Sequence, residues 1–338
     1  MKFSVGYQPR REGGESFPDL LRDYTERVRE VYFPWPHSPS GRPPILTDLS
    51  AGDAAETLLA DLREIRSMGI DLDLLLNANC YGADAVSRAF AGRIADVLET
   101  LRDAGCFPAV VTAASPFVAW TVKERYPEIE VRASVNMRLG TVQAMGYVSD
   151  LFDSFCMQRD LQRDLRVLAP VSRWCRENGK KLCLLVNSGC LRFCPGQTFH
   201  DNLIAHCGEI DPDGVPEGFQ PHVCWSTFLR HPERRPEILK ATWIRPEDLG
   251  LYEPYADLFK LATRQHDHPR AVIGAYTSGK WDGDLLDLLE PGFGPAFGGD
   301  RLWNDRFPPD FAQTVGRCGG GCTGCGACER IYETVRTR

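Results

Sequence analysis

Eight of the thirteen cysteines fall into two groups whose spacing suits metal binding. Near the C-terminus, Cys318, Cys322, Cys325 and Cys328 follow one another at intervals of x3, x2 and x2. Chance rarely places four thiols so close together. Closely spaced thiolates can wrap a cubane cluster or hold zinc. The glycines between them, at 319, 320, 321, 324 and 326, allow the tight turns that such wrapping needs. The second group is wider: Cys190-x3-Cys194-x12-Cys207-x16-Cys224. A structural zinc site uses two short pairs, and only Cys190 and Cys194 make one. Irregular spacing suits a [4Fe–4S] cluster held by separate loops. Two clusters are therefore expected, with zinc as the alternative at the C-terminal site. His200, His206 and His222 are read as ordinary loop histidines, with replacement of a cysteine ligand as the alternative.

The charged and amide side chains suggest where a substrate would sit. Arg245, Lys260 and Arg264 lie near the ends of late apolar runs and suit a carboxylate or phosphate. The plainer reading is a salt bridge to Glu247 or Asp257. Asn79 and Asn136 follow earlier runs and are candidate substrate contacts. Asp160 and Glu247 are the candidate acid–base carboxylates. Cys80 ends a run and reads as a small core residue or an alternative ligand. Cys106, Cys156, Cys175 and Cys183 read as core. A GxSxG elbow and a GxGxxG turn after the first strand are both absent, which removes two common hydrolase and dinucleotide signatures.

The positioning elements alternate. Strands are expected at KFSVGYQ, Leu72–Leu76, Pro108–Ala113, Glu130–Val135, Ser154–Met157, Lys181–Val186, Lys240–Ile244 and Leu258–Ala262. Amphipathic helices separate them. The first carries Leu20, Leu21, Tyr24, Val28 and Val31 on one face, and Phe33 to Pro44 is expected to form a loop. Asp53 is the expected cap of the next helix, and Gly69, Gly105 and Gly179 are expected helix stops. Eight such units imply an α/β fold, a (β/α)8 TIM-type barrel over residues 1–290, with a cluster-binding insertion at 187–230. Residues 291–338 read as a Gly- and Pro-rich extension, a cysteine-rich metal-binding tail too small for its own core.

Composition narrows the classes. The chain has 338 residues, 39 Lys and Arg against 46 Asp and Glu, and a net charge of −7. This disfavours nucleic acid or an anionic membrane surface as partner. No apolar run approaches a membrane span, and MKFSVGYQPRREGGES lacks the apolar core of a signal peptide. A cytoplasmic location follows as the expectation.

Three segments resemble proteins related to peptidase family U32, the collagenase-like peptidases. NSGCLRFCP resembles the family's strand-end cysteine segment, VRASVNMRLGTVQAM its central strand, and ADLFKLATRQHDHP its late strand with Lys260 and Arg264. The resemblance implies a TIM-type barrel that often carries a cubane cluster. Similar members include oxygen-independent hydroxylation proteins and proteins needed for RNA hydroxylation; proteolysis is not expected. This chain is a divergent branch. The reading is an iron–sulfur enzyme with redox chemistry, such as oxygen-independent hydroxylation, on a small anionic organic substrate. An electron donor or partner protein is expected beside it. The alternatives are a non-catalytic iron–sulfur or electron-transfer subunit, or an RNA-modifying hydroxylase.

Overall fold

The computed structural model describes residues 1–211, 214–322 and 324–337. Eight parallel strands close into a barrel in chain order: β1 (Phe3–Gly6), β2 (Val28–Pro34), β3 (Asp71–Leu76), β4 (Val110–Ala113), β5 (Glu130–Ala133), β6 (Ser154–Cys156), β7 (Lys181–Leu185) and β8 (Leu258–Leu261), with β8 paired back to β1. Six helices in the connections from β1 to β7 shape it: α1 (Phe17–Arg22), α2 (Ala51–Ser67), α3 (Arg88–Asp103), α4 (Pro116–Arg125), α5 (Val142–Gly146) and α6 (Leu165–Glu177). Their apolar stripes bury Leu58, Leu62 and Ile65 in α2 and Ile94, Leu98 and Leu101 in α3 against the strands. The (β/α)8 expectation is met.

The count of eight strands conceals two compensating errors. Val28 and Val31 are not on a helix. VREVYFP is β2, a β-branched and aromatic run buried on both faces between β1 and β3. Helix α1 stops at Arg22, well before it. Conversely, Lys240–Ile244 is not a strand. Glu237–Lys240 is a short helix, and the following residues run irregularly, with one backbone bond from Ile244 N to Val186 O at 2.7 Å. The expected cap also shifts. Ser50, not Asp53, caps α2: its hydroxyl accepts from Asp53 N at 3.2 Å and donates to the Asp53 carboxylate at 2.6 Å. Gly69, Gly105 and Gly179 do follow helices, each at positive φ.

A charged layer crosses the barrel interior. Arg132 on β5 makes a two-pronged ion pair with Glu30 on β2 and reaches Asp73 on β3 at 3.3 Å. Lys260 Nζ on β8 lies 3.4 Å from the same Asp73 carboxylate, which also accepts from Thr112 at 2.8 Å. Burial alone would raise the Glu30 pKa, but Arg132 brings it down to about 2. Arg132→Ala would strand the buried Glu30 carboxylate and take one of two cationic partners from Asp73. It is expected to destabilise the barrel by about 3–5 kcal/mol, read as a lower midpoint in denaturant melts.

The tail has no core to itself and packs into a shared one. Phe293, Phe297, Leu302, Phe307, Phe311, Tyr332 and Val335 form a second apolar cluster with Cys224 and Phe228 of the insertion and with Ile238 and Trp243 just after it. Insertion and tail thus share one core at the barrel's side. No helix among the described residues is long and apolar enough to cross a membrane.

Candidate functional site

Three neighbouring cavities open at the C-terminal end of the strands, where a barrel of this kind carries its chemistry. The central one, about 80 Å³, is walled by Tyr32, Arg42, Asn77, Asn136, Lys260, Arg264 and Glu290, with Arg159 and Cys156 also on its surface. A second is lined by Cys190, Cys194, Cys224 and His200. A third, about 150 Å³, lies under the tail and is lined by Cys318, Cys322 and Cys328. Arg159 lines all three.

The central cavity is cationic. Arg42 comes from the long loop after β2 and clamps Glu290 with two hydrogen bonds, at 3.1 and 2.8 Å. Burial would raise the Glu290 pKa, but Arg42 holds it below the usual range. Lys260 lies on the floor, 3.9 Å from the centre of the Tyr32 ring and in reach of Asp73. Arg264 and Arg159 have no carboxylate partner among the described residues, although they are only 5% and 8% exposed. Arg264 donates to Ser40 Oγ at 3.1 Å and to Pro43 O, and its Nε has no partner. Burial, and then Arg42 beside it, lower its pKa to about 10. A buried guanidinium left without an acid is costly to the fold, so this wall is suited to an anion.

Arg159 joins the two chemistries: its Nη1 donates to Cys190 Sγ at 3.4 Å. Cys190 and Cys194 lie on the loop after β7, and Cys224 opens a helix, Val223–Arg230, in the insertion. Burial pushes Cys224 up to about 12 and Cys194 above its ordinary value. Three soft thiols beside one imidazole fit an iron–sulfur cluster in donor chemistry. Burial also brings His200 down to about 4, so its ring is neutral and able to ligate. No three His, Cys, Asp or Glu side chains among the described residues are placed to hold a single metal ion. The free space is about 20 Å³, room for one water, so a cubane needs these loops to part.

Other expected residues stand elsewhere. Cys207 is outside the thiol cavity, next to His206; that imidazole bonds Glu209 at 3.1 Å and contacts the Cys80 thiol. Asp160 has both carboxylate oxygens engaged, by Phe193 N at 2.5 Å and Gln158 at 3.0 Å. It fastens the Cys190–Cys194 loop. Arg245 and Glu247 line none of these three cavities, because no strand precedes them. Arg245 pairs with Asp248 at 2.7 Å and lies over Phe307 and Phe311. Glu247 accepts from Trp281 N and Asn304 Nδ2, pinning the tail. Asn79 is exposed and reaches Asn136 O at 3.4 Å, while Asn77, two residues earlier, is the one in the cavity wall. Asn136 lines the cavity as expected. In the tail, Cys325 is exposed and not among the residues lining the third cavity, while Gly320, Gly324 and Gly326 have positive φ.

No family model matches the chain. Over 238 residues it is 24% identical to a Methanocaldococcus jannaschii protein named "Uncharacterized protease MJ1657", covering 70% of this chain and 68% of that one. Among solved structures, the U32 peptidase Mk0906 superposes with a TM-score of 0.55, at 17% identity, over 78% of this chain and 94% of its own. At that identity the structural likeness carries the barrel fold alone. The three segments whose sequences resemble the U32 peptidases fall on β5, on the loop after β7, and on β8. They deliver Asn136, the Cys190–Cys194 pair, and Lys260 with Arg264 to adjoining walls.

Proposed function

We propose that the chain is a cluster-bearing barrel enzyme that performs redox chemistry on a small anionic organic molecule. The supporting observation is the placement of Arg159. This buried guanidinium has no acid partner; it lines the cationic cavity and donates to Cys190 Sγ in the thiol cavity. Cys190, Cys194 and Cys224 would hold the cluster, with His200 as the candidate fourth ligand. When bound, an iron–sulfur cluster supplies one-electron transfer. Arg264 and Arg159 would grip the substrate's negative group, and Lys260 would offer a further cation from below. The Arg42–Glu290 clamp holds the loop after β2 over the mouth and limits water. The tail thiols would hold a second group, iron–sulfur or zinc. Their cavity shares Arg159, Asp160 and Thr242 with the thiol cavity, a short route for electrons if the group is a cluster.

The test is the iron, acid-labile sulfide and zinc content per chain after anaerobic purification. About eight irons support two cubanes; about four irons with one zinc support a barrel cluster and a structural tail. Zinc alone, or no metal, would end the redox reading and leave an anion-binding barrel.

A further inference from the structure

A pair of thiols deep in the barrel is used by none of the chemistry above. Cys156 on β6 and Cys183 on β7 are direct register partners on adjacent parallel strands. Both are 2% exposed, and with Leu258 they form a small cluster of their own. Their side chains are in hydrogen-bond contact. Paired residues on neighbouring strands are separated by about 4.8 Å, inside the Cα–Cα range of a disulfide, about 4.4–6.8 Å. Both are free thiols.

Their surroundings are not those of inert core cysteines. Cys156 lies in the wall of the cationic cavity, and its register partner Cys183 is not among the lining residues. The S–H of the neighbouring thiol, and then Lys260 and Arg132, favour the Cys156 thiolate against its burial, so its pKa falls below the ordinary thiol range. Its partner is raised correspondingly. Cys175 is a useful contrast: it is buried in the same barrel without such help, and burial pushes it up to about 12.

We propose that Cys156 and Cys183 are a redox-active dithiol of the cationic cavity, oxidised by small hydroperoxides to an intramolecular disulfide. Cys156 is the attacking thiol and Cys183 the resolving one. The Cys156 thiolate attacks the terminal oxygen of the hydroperoxide. The O–O bond breaks, Cys156 becomes a sulfenic acid, and the departing alkoxide takes a proton to leave as the alcohol. The Cys183 sulfur then attacks the Cys156 sulfur. The S–S bond forms and hydroxide leaves with the Cys183 proton as water. In sum, two thiols and one hydroperoxide give one disulfide, one alcohol and one water. A small dithiol reverses the step. The neighbouring Lys260 and Arg264 favour an oxidant that carries a carboxylate. The pair needs no metal, so the proposal is independent of any cluster.

The test uses the intact wild-type protein and hydrogen peroxide as probe. Samples taken over time are blocked with an alkylating agent, and digestion with a protease that separates Cys183 from Cys190 reads each thiol by mass spectrometry. The expected result is a Cys156–Cys183 disulfide that forms roughly tenfold or more faster than Cys175 is lost. Cys183→Ser should trap a sulfenic acid at Cys156 that dimedone labels, and Cys156→Ser should leave Cys183 unreactive. Loss of Cys156 no faster than Cys175, or a disulfide from Cys156 to any other cysteine, would overturn the proposal. The wild-type time course decides even if a variant fails to fold.

Discussion

Arg264→Met is expected to weaken binding of small carboxylates at least about 30-fold, a cost of ~2 kcal/mol or more, without destabilising the free protein. Both halves follow from one fact. Arg264 is buried against Ser40 and Pro43 with no carboxylate partner and an unsatisfied Nε. In the empty cavity its charge is a burden on the fold, and an apolar side chain of similar length removes that burden. With an anion bound, the same charge is the principal attraction. Calorimetric titration with a panel of mono- and dicarboxylates, beside thermal melts of the free protein, reads both quantities. A variant that melts far lower and still binds would show that Arg264 serves the fold instead. Residues kept for binding commonly carry this signature of local cost and functional gain.

Cys224→Ala is expected to strip the barrel of its iron, whereas Cys207→Ala retains it. Cys224 lines the cavity with Cys190 and Cys194, while Cys207 does not. The effect should be all or none, because a cubane that loses a thiolate inside a small cavity has no replacement except solvent. Iron and sulfide per chain, measured on both variants beside the wild type, check this. Iron lost from Cys207→Ala as well as from Cys224→Ala would restore the ligand set read from sequence spacing. It would also mean that the insertion rearranges when the cluster binds.

The sequence made the site's inner parts legible and its closures obscure. Lys260 lies on, and Arg264 and Asn136 follow, strands that the apolar runs mark, and each lines the central cavity. Arg245 and Glu247 were assigned to the same mouth only because Lys240–Ile244 has the apolar look of a strand. Its Trp243 is buried, but in the core shared with the tail. Arg42 escaped notice because it lies in a loop rich in Pro, Ser and Gly. Its partner Glu290 is 248 residues away, and no local period links them. Val28 and Val31 fit a helical spacing by coincidence; only the pairing with β1 and β3 settles their strand. Cys156 and Cys183 read as core by composition. Their adjacency depends on the register of β6 and β7, which the residues of either strand alone do not set.

That one site spans the cationic cavity and the thiol cavity, joined by Arg159, is tested most directly by electron paramagnetic resonance. The protein would be iron-loaded and reduced, with spectra recorded with and without the carboxylate that binds most tightly. The expected result is a cluster signal that the anion shifts in the wild type and leaves unshifted in Arg159→Gln, whose metal content is unchanged. A cluster signal indifferent to saturating anion in the wild type would contradict a joint site, and would leave two cavities that share a wall and no chemistry.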